Sequence, residues 1–222
     1  MTGDFGIVTF TVFAAAVSTA VIAIPGVAAG YFLARHRGAT RGLLETFLAL
    51  PLVLPPTAVG MMLLHLLRPR GALGHLLESI AFPVVFTWRG VVIATAVMSF
   101  PLLVRSARTA FEEVDPRLLD VARTLGATRL SAFTRVALPL ARRGVTAGLL
   151  LAFSRALGEF GATILVAGNI EGETQTLALA IFHRTQIGDD TGAMRLVGVT
   201  VVLAFAAVWT TELLLGKRSA AR

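Results

Sequence analysis

FGIVTFTVFAAAVSTAVIAIPGVAAGYFLA, Phe5 to Ala34, runs for thirty residues without a charged side chain. About 20 helical residues cross the roughly 30 Å hydrocarbon layer of a bilayer, so this stretch is more than long enough to span one. No basic region precedes it, and its apolar run far exceeds the roughly 7–15 residues of a signal-peptide core. It is therefore expected to stay in the membrane. Four further stretches repeat the pattern. They are Thr46 to Leu67; Gly90 to Val104, reached through apolar sequence interrupted at Arg89; Gly144 to Gly168, which holds Arg155 and Glu159; and Met194 to Gly216, with Arg195 and Glu212 near its ends. Composition points the same way, with 55% of residues hydrophobic, 15% charged and a mean hydropathy of +0.78. So few charges cannot coat a 222-residue globule in water. The expected fold is an all-α integral membrane protein of about five transmembrane helices, a single domain over residues 1–222.

With five spans the termini lie on opposite sides, and the Lys/Arg distribution orients them. Arg35, Arg37 and Arg41, the eight arginines from Arg105 to Arg143, and Lys217, Arg218 and Arg222 put fourteen positive charges on one side. Arg68, Arg70, Arg89, Arg184 and Arg195 put five on the other. The N-terminus is expected outside and the C-terminus in the cytoplasm. This spread explains the formal charge of +7 and the pI near 11.4, and no aromatic-interleaved basic patch suggests nucleic acid. The absence of cysteine excludes disulfides, cysteine-ligated metals and a thiol nucleophile, and His36, His65, His75 and His183 show no metal-ligand spacing. No cofactor is expected. Pro51, Pro55 and Pro56, in PLVLPP, fall inside the second stretch and should kink it. Gly26 and Gly30, like Gly144 and Gly148, form GxxxG pairs suited to generic helix packing or to a dimer contact.

Between the third and fourth stretches the chain makes its longest polar excursion, Arg105 to Arg143. It reads as two short amphipathic helices. Asp115-Pro116 offers an N-cap followed by proline at the first helical position, Leu118, Ala122 and Leu125 share one face, and Gly126 supplies the stop. Thr128 caps a second helix in which Leu130, Phe133 and Ala137 repeat until Leu138-Pro139. On physics alone such a knob either lies in the lipid headgroup layer or docks into a groove on a soluble partner. DVARTLGATRLSAFTRVALP, Asp120 to Pro139, resembles the cytoplasmic signature of ABC-importer permease subunits: an E-A-A, three residues, a glycine, nine residues, an isoleucine, one residue and L-P. Asp120, Ala122, Gly126, Val136, Leu138 and Pro139 match it in spacing, with Asp120 for glutamate and Val121 for the first alanine. The resemblance implies a coupling segment, about residues 112–143, that fits a cleft on an ATP-hydrolysing subunit. A separate engine is also required by the chain itself, which has neither a phosphate-binding GxxxxGK[ST] loop nor the intramembrane acids and histidines of a proton-driven carrier.

Charges within a span are costly and default to functional candidates. Arg155 and Glu159, four residues apart, share a helix face, either as an internal salt bridge that makes the span insertable or as part of a translocation path. RALGEFGATILVAGNIEGETQTLALAIF, Arg155 to Phe182, resembles the molybdate or tungstate branch of these permeases. Sulfate permeases share Arg155 to Ala162, whereas Gly168-Asn169-Ile170, Gly172 and Glu173 to Leu177 follow the molybdate pattern, with Glu171 and Ala178 standing where that branch has proline. Asn169, Thr174, Gln175 and Thr176 would supply neutral donors to an oxyanion, although a polar outer loop of ordinary kind has the same composition. The resemblance implies a bacterial-type inner-membrane homodimer. Its partners would be two ATPase subunits, an extracytoplasmic binding protein, and molybdate or tungstate as cargo. A sulfate or thiosulfate permease is the rival within transport. A lipid-modifying membrane enzyme is disfavoured because the one acidic grouping, Glu112, Glu113, Asp115 and Asp120, reads as helix starts and caps. A purely structural anchor is the third alternative.

Overall fold

The computed structural model describes residues 3–36 and 38–216; Arg37, Lys217, Arg218 and Arg222 lie outside the described residues, as does the side chain of Glu212. All regular structure among the described residues is helical. The chain runs α1 (Asp4–Arg35), α2 (Ala39–Val53), α3 (Pro56–Leu67), α4 (Gly74–Ser79), α5 (Trp88–Glu112), α6 (Pro116–Thr124), α7 (Arg129–Ala132), α8 (Leu138–Leu157), α9 (Gly161–Ala167), α10 (Leu177–Gln186) and α11 (Asp190–Gly216). Four helical runs are long and apolar enough to cross a bilayer: α1, α5, Arg129–Leu157, and Asp190–Thr210 of α11. Counting α2 with α3 makes five.

α5 is the most enclosed of these helices, and α1 and α8 pack along it. Small residues bring them close. A Cβ added at Gly26 would lie 2.6 Å from Leu103, at Gly30 2.9 Å from the Arg108 amide nitrogen, and at Gly148 2.7 Å from the Ser106 Cβ. Both GxxxG pairs are therefore spent on packing within the chain, on two sides of one helix, and Ser106 Oγ donates to Gly144 O across the second contact at 3.1 Å. Thr11 and Thr95, inside these helices, bond back to carbonyls one turn earlier, on Ile7 and Val91. No side chain is left seeking water at those positions.

Three boundaries differ from the sequence reading. The second stretch is broken, not merely kinked, because α2 and α3 meet at 105°. Leu54 and Pro55 are extended, at ψ 146° and 132°, since a residue preceding proline is driven out of the helical region and Pro55-Pro56 offers two successive residues without an N–H. The fourth stretch begins earlier and ends sooner. Instead of stopping at Leu138-Pro139, the helix that starts at Arg129 continues to Leu157 through a wide turn at Phe133–Ala137, where Leu138 N–H donates to Phe133 O five residues back. That turn carries the helix past Pro139, which has no N–H to contribute. At its far end α8 stops at Leu157, and the chain restarts as α9 only at Gly161. The third span, finally, reaches Glu112 because Arg108 and Glu112 pair at i, i+4 and extend the helix beyond its apolar part.

The two ends of the bundle are built differently. At the basic end, Ala107, Phe111, Val114, Leu119, Ala132 and Ala137 form a buried layer joining α5 to α6 and α7. Tyr31 meets Phe111 at 5.2 Å and Phe133 at 4.7 Å between ring centroids. At the opposite end, Arg184 of α10 pairs with Asp4 and donates to Gly192 O, joining the starts of α1 and α11.

Candidate functional site

Two regions hold the residues singled out from the sequence. The first is the α6–α7 pair at the basic end. Asp115 Oδ1 accepts from Arg117 N–H at 2.9 Å with Pro116 at the first helical position, and Thr128 Oγ1 accepts from Ser131 N–H at 3.2 Å. Both expected caps are made. Between the helices Gly126 sits at φ +87°, and an added Cβ would meet nothing within 4 Å, so conformation and not space demands glycine here. Leu119 and Ala122 face the buried layer, as do Phe133, Val136 and Leu138. Leu118, Val121, Leu125 and Leu130 face outward, Leu125 at 83% exposure. Asp120 is largely exposed, with Arg123 3.9 Å away, and Pro139 is exposed. The expected apolar face thus divides: Ala122 packs inward while Leu118 and Leu125 show exposed apolar surface.

The second region is the break between α8 and α9 and the loop that follows. Glu159 is 2% exposed. Its Oε2 pairs with Arg155 Nη1 at 2.8 Å, and its Oε1 accepts from Ala162 N–H at 2.8 Å, so one carboxylate both neutralises the cation and caps the start of α9. α9 lies tightly on α3: a Cβ on Gly161 would sit 2.7 Å from Pro56, and one on Gly60 2.8 Å from Ala162 Cα. The two interrupted helices therefore brace one another inside the protein, where irregular backbone at membrane depth is tolerated. From Gly168 to Thr176 the loop folds on its own polar groups. Thr174 Oγ1 accepts from Ile170 N–H at 2.9 Å, Ile170 O accepts from Glu173, Thr174 and Gln175, and Thr176 caps α10. Thr11 of α1 ties the loop down by accepting from Leu177 N–H at 2.9 Å.

Thr174, Gln175 and Thr176 are buried, with both threonine hydroxyls engaged in holding the loop. Asn169 Oδ1 is buried with no hydrogen-bond partner among the described residues. Gln175 lines a cavity of about 620 Å³ with Glu171, Glu173, His183 and Arg184. The Asp4 carboxylate raises the already high pKa of Arg184, against the opposing effect of burial. One feature escaped the sequence reading. Arg41, Glu45, Arg108 and Glu112 form a closed ring of four ion pairs between α2 and α5, including Arg108–Glu45 at 2.6 Å and Arg41–Glu45 at 2.7 Å. The i, i+4 spacings of Arg41/Glu45 and Arg108/Glu112 hinted at two pairs, but their cross-linking needs the helices to meet.

Residues 26–215 match the family described as binding-protein-dependent transport system inner membrane component, and the chain belongs to that family. It is an inner-membrane permease subunit of an ABC transporter. It is 44% identical to the molybdenum transport system permease protein ModB of Escherichia coli K12, over 84% of this chain and 82% of that one. To the sulfate transport system permease protein CysT of Salmonella typhimurium LT2 it is 35% identical, over 92% of this chain and 74% of that one. Its fold matches a bacterial ABC transporter involved in import of the acidic polysaccharide alginate, at a TM-score of 0.70 and 16% identity, covering 99% of this chain and 81% of that one.

Proposed function

We propose that this chain is the membrane-spanning subunit of a molybdate importer. The observation that carries the cargo is the margin in identity, 44% to a molybdenum permease against 35% to a sulfate permease. Two copies would form the path, with two ATPase subunits at the basic end in the cytoplasm and a binding protein at the opposite end outside. The whole of residues 1–222 would act as one transmembrane unit, N-terminus out and C-terminus in. Closure of the ATPase pair would push on the α6–α7 knob. Its outward Leu118, Val121, Leu125 and Leu130 suit a groove, while Asp120, Ala122, Gly126, Val136, Leu138 and Pro139 hold its shape and its seat on the bundle. The push would pass through the α5 layer and switch the helices between inward- and outward-open states.

In this reading Arg155 and Glu159 set the α8–α9 break beside the path. The Glu159 carboxylate spares a passing anion its repulsion because Arg155 and the Ala162 amide already occupy it. Gln175, which lines the outer cavity, is the loop residue with a side-chain amide to offer an anion; the unpartnered Asn169 Oδ1 is an acceptor, and Thr174 and Thr176 act by holding the loop. The test is ATPase assay of the permease reconstituted with its ATPase subunits and a binding protein loaded with molybdate, tungstate or sulfate. Stimulation by molybdate is expected. Stimulation by sulfate alone would overturn the cargo, and failure to retain any ATPase subunit would overturn the coupling role.

A further inference from the structure

Behind the α6–α7 pair, where it leans on the ends of α1 and α2, lies a cleft of about 690 Å³. Four arginines line it, Arg35, Arg41, Arg123 and Arg129, against two acids, Glu112 and Asp120. The acids do not balance the cations. Glu112 is bound by Arg41 and by Arg108, which lies outside the cleft, and Asp120 is largely exposed and 3.9 Å from Arg123. Arg129 makes no ion pair among the described residues, and Arg35 spends one nitrogen on Val114 O at 3.3 Å. The Nε of Arg35 is buried without a hydrogen-bond partner among the described residues. A buried guanidinium N–H left unpaired is costly, and the cost is removed when an acceptor enters. Tyr31 lines the same wall, with the Arg35 guanidinium 5.9 Å from its ring centroid. Guanidinium groups lining one cleft from four helices, α1, α2, α6 and α7, suit the oxygens of a tetrahedral oxyanion, and the volume is ample for one carried on an organic group.

We propose that this cleft binds a phosphate-type oxyanion, presented either as the phosphodiester of an anionic phospholipid headgroup or as free phosphate. The basic end of a positive-inside membrane protein faces the leaflet surface where anionic headgroups collect, and basic pockets between helices at that level suit them. Bound there, the anion bridges α1 (Arg35) to α6 and α7 (Arg123, Arg129) and stiffens the knob against the bundle. The site is independent of the identity of the transported anion.

The test uses the assembled transporter, permease with its ATPase subunits. Native mass spectrometry with added phosphatidylglycerol or phosphatidylcholine reads the lipid arm, and equilibrium dialysis with radiolabelled inorganic phosphate reads the free-anion arm. Saturable binding is expected in one arm, in the lipid case about tenfold tighter for phosphatidylglycerol than for phosphatidylcholine. The double variant Arg35→Gln/Arg129→Gln should weaken it at least about tenfold. Arg142→Gln/Arg143→Gln removes the same charge from outside the cleft and should leave binding unchanged. Arg129→Gln alone breaks no ion pair among the described residues and serves where the double variant unfolds; it should weaken binding roughly threefold. Absence of binding in both arms, or equal loss in the Arg142/Arg143 variant, would overturn the proposal.

Discussion

At the scale of single residues, Gly126 and Glu159 are the positions where one atom group decides a local structure. Gly126 holds φ +87° in open space, so any side chain there strains the backbone without a clash to relieve. Gly126→Val should cost about 1–2 kcal/mol locally and re-aim α7 against α6. The variant is expected to reach the membrane at normal levels yet hydrolyse ATP without matching uptake, measured as transport per ATP in proteoliposomes; coupled uptake at the normal ratio would refute the knob's role. Glu159 is legible in sequence as half of a pair, but its second bond, to the Ala162 amide, is not. Glu159→Ala strands Arg155 and uncaps α9 together and should destabilise by about 3 kcal/mol or more, read as a fall in melting temperature in detergent. The double variant Arg155→Ala/Glu159→Ala should recover part of that loss, because no charge is then left unpaired.

At the scale of elements, α2 is weakly seated. Cavities of about 370 and 470 Å³ lie between it and the body, and none of its described residues is buried. Its start follows Gly38 at φ +140°, its end is the proline break, and the four-charge ring is its polar attachment to α5. Arg108→Gln opens that ring and should let α2 lift. With no native cysteine to interfere, Ala49→Cys in the larger cavity reports this directly. Its maleimide labelling should quicken roughly threefold in the Arg108→Gln background, and an unchanged rate would mean that apolar contacts alone hold α2. The helix types were readable in sequence from apolar length and caps, but not the boundary at Pro139. A proline after apolar residues normally marks a stop, and only the wide turn at Phe133–Ala137 shows that the helix continues.

At the scale of the whole molecule, the proposed orientation makes its own prediction. Leu125→Cys on the knob should react with an impermeant maleimide only from the cytoplasmic side of oriented vesicles, and Glu171→Cys in the loop before α10 only from the other; exchanged sides would reverse the topology, and labelling of both from one side would refute it. The sequence by itself determined that the chain lives in a bilayer, how many stretches are long enough to span it, and where the capped knob lies. Those properties follow from transfer free energy and from hydrogen bonds between residues a few positions apart, which add up along the chain whatever its fold. Only the tertiary structure decided that both glycine pairs serve α5, that α3 and α9 brace each other at their breaks, and that Arg41, Glu45, Arg108 and Glu112 close a ring. Which surfaces meet depends on close packing between segments distant in sequence, and that complementarity leaves no local periodicity to read.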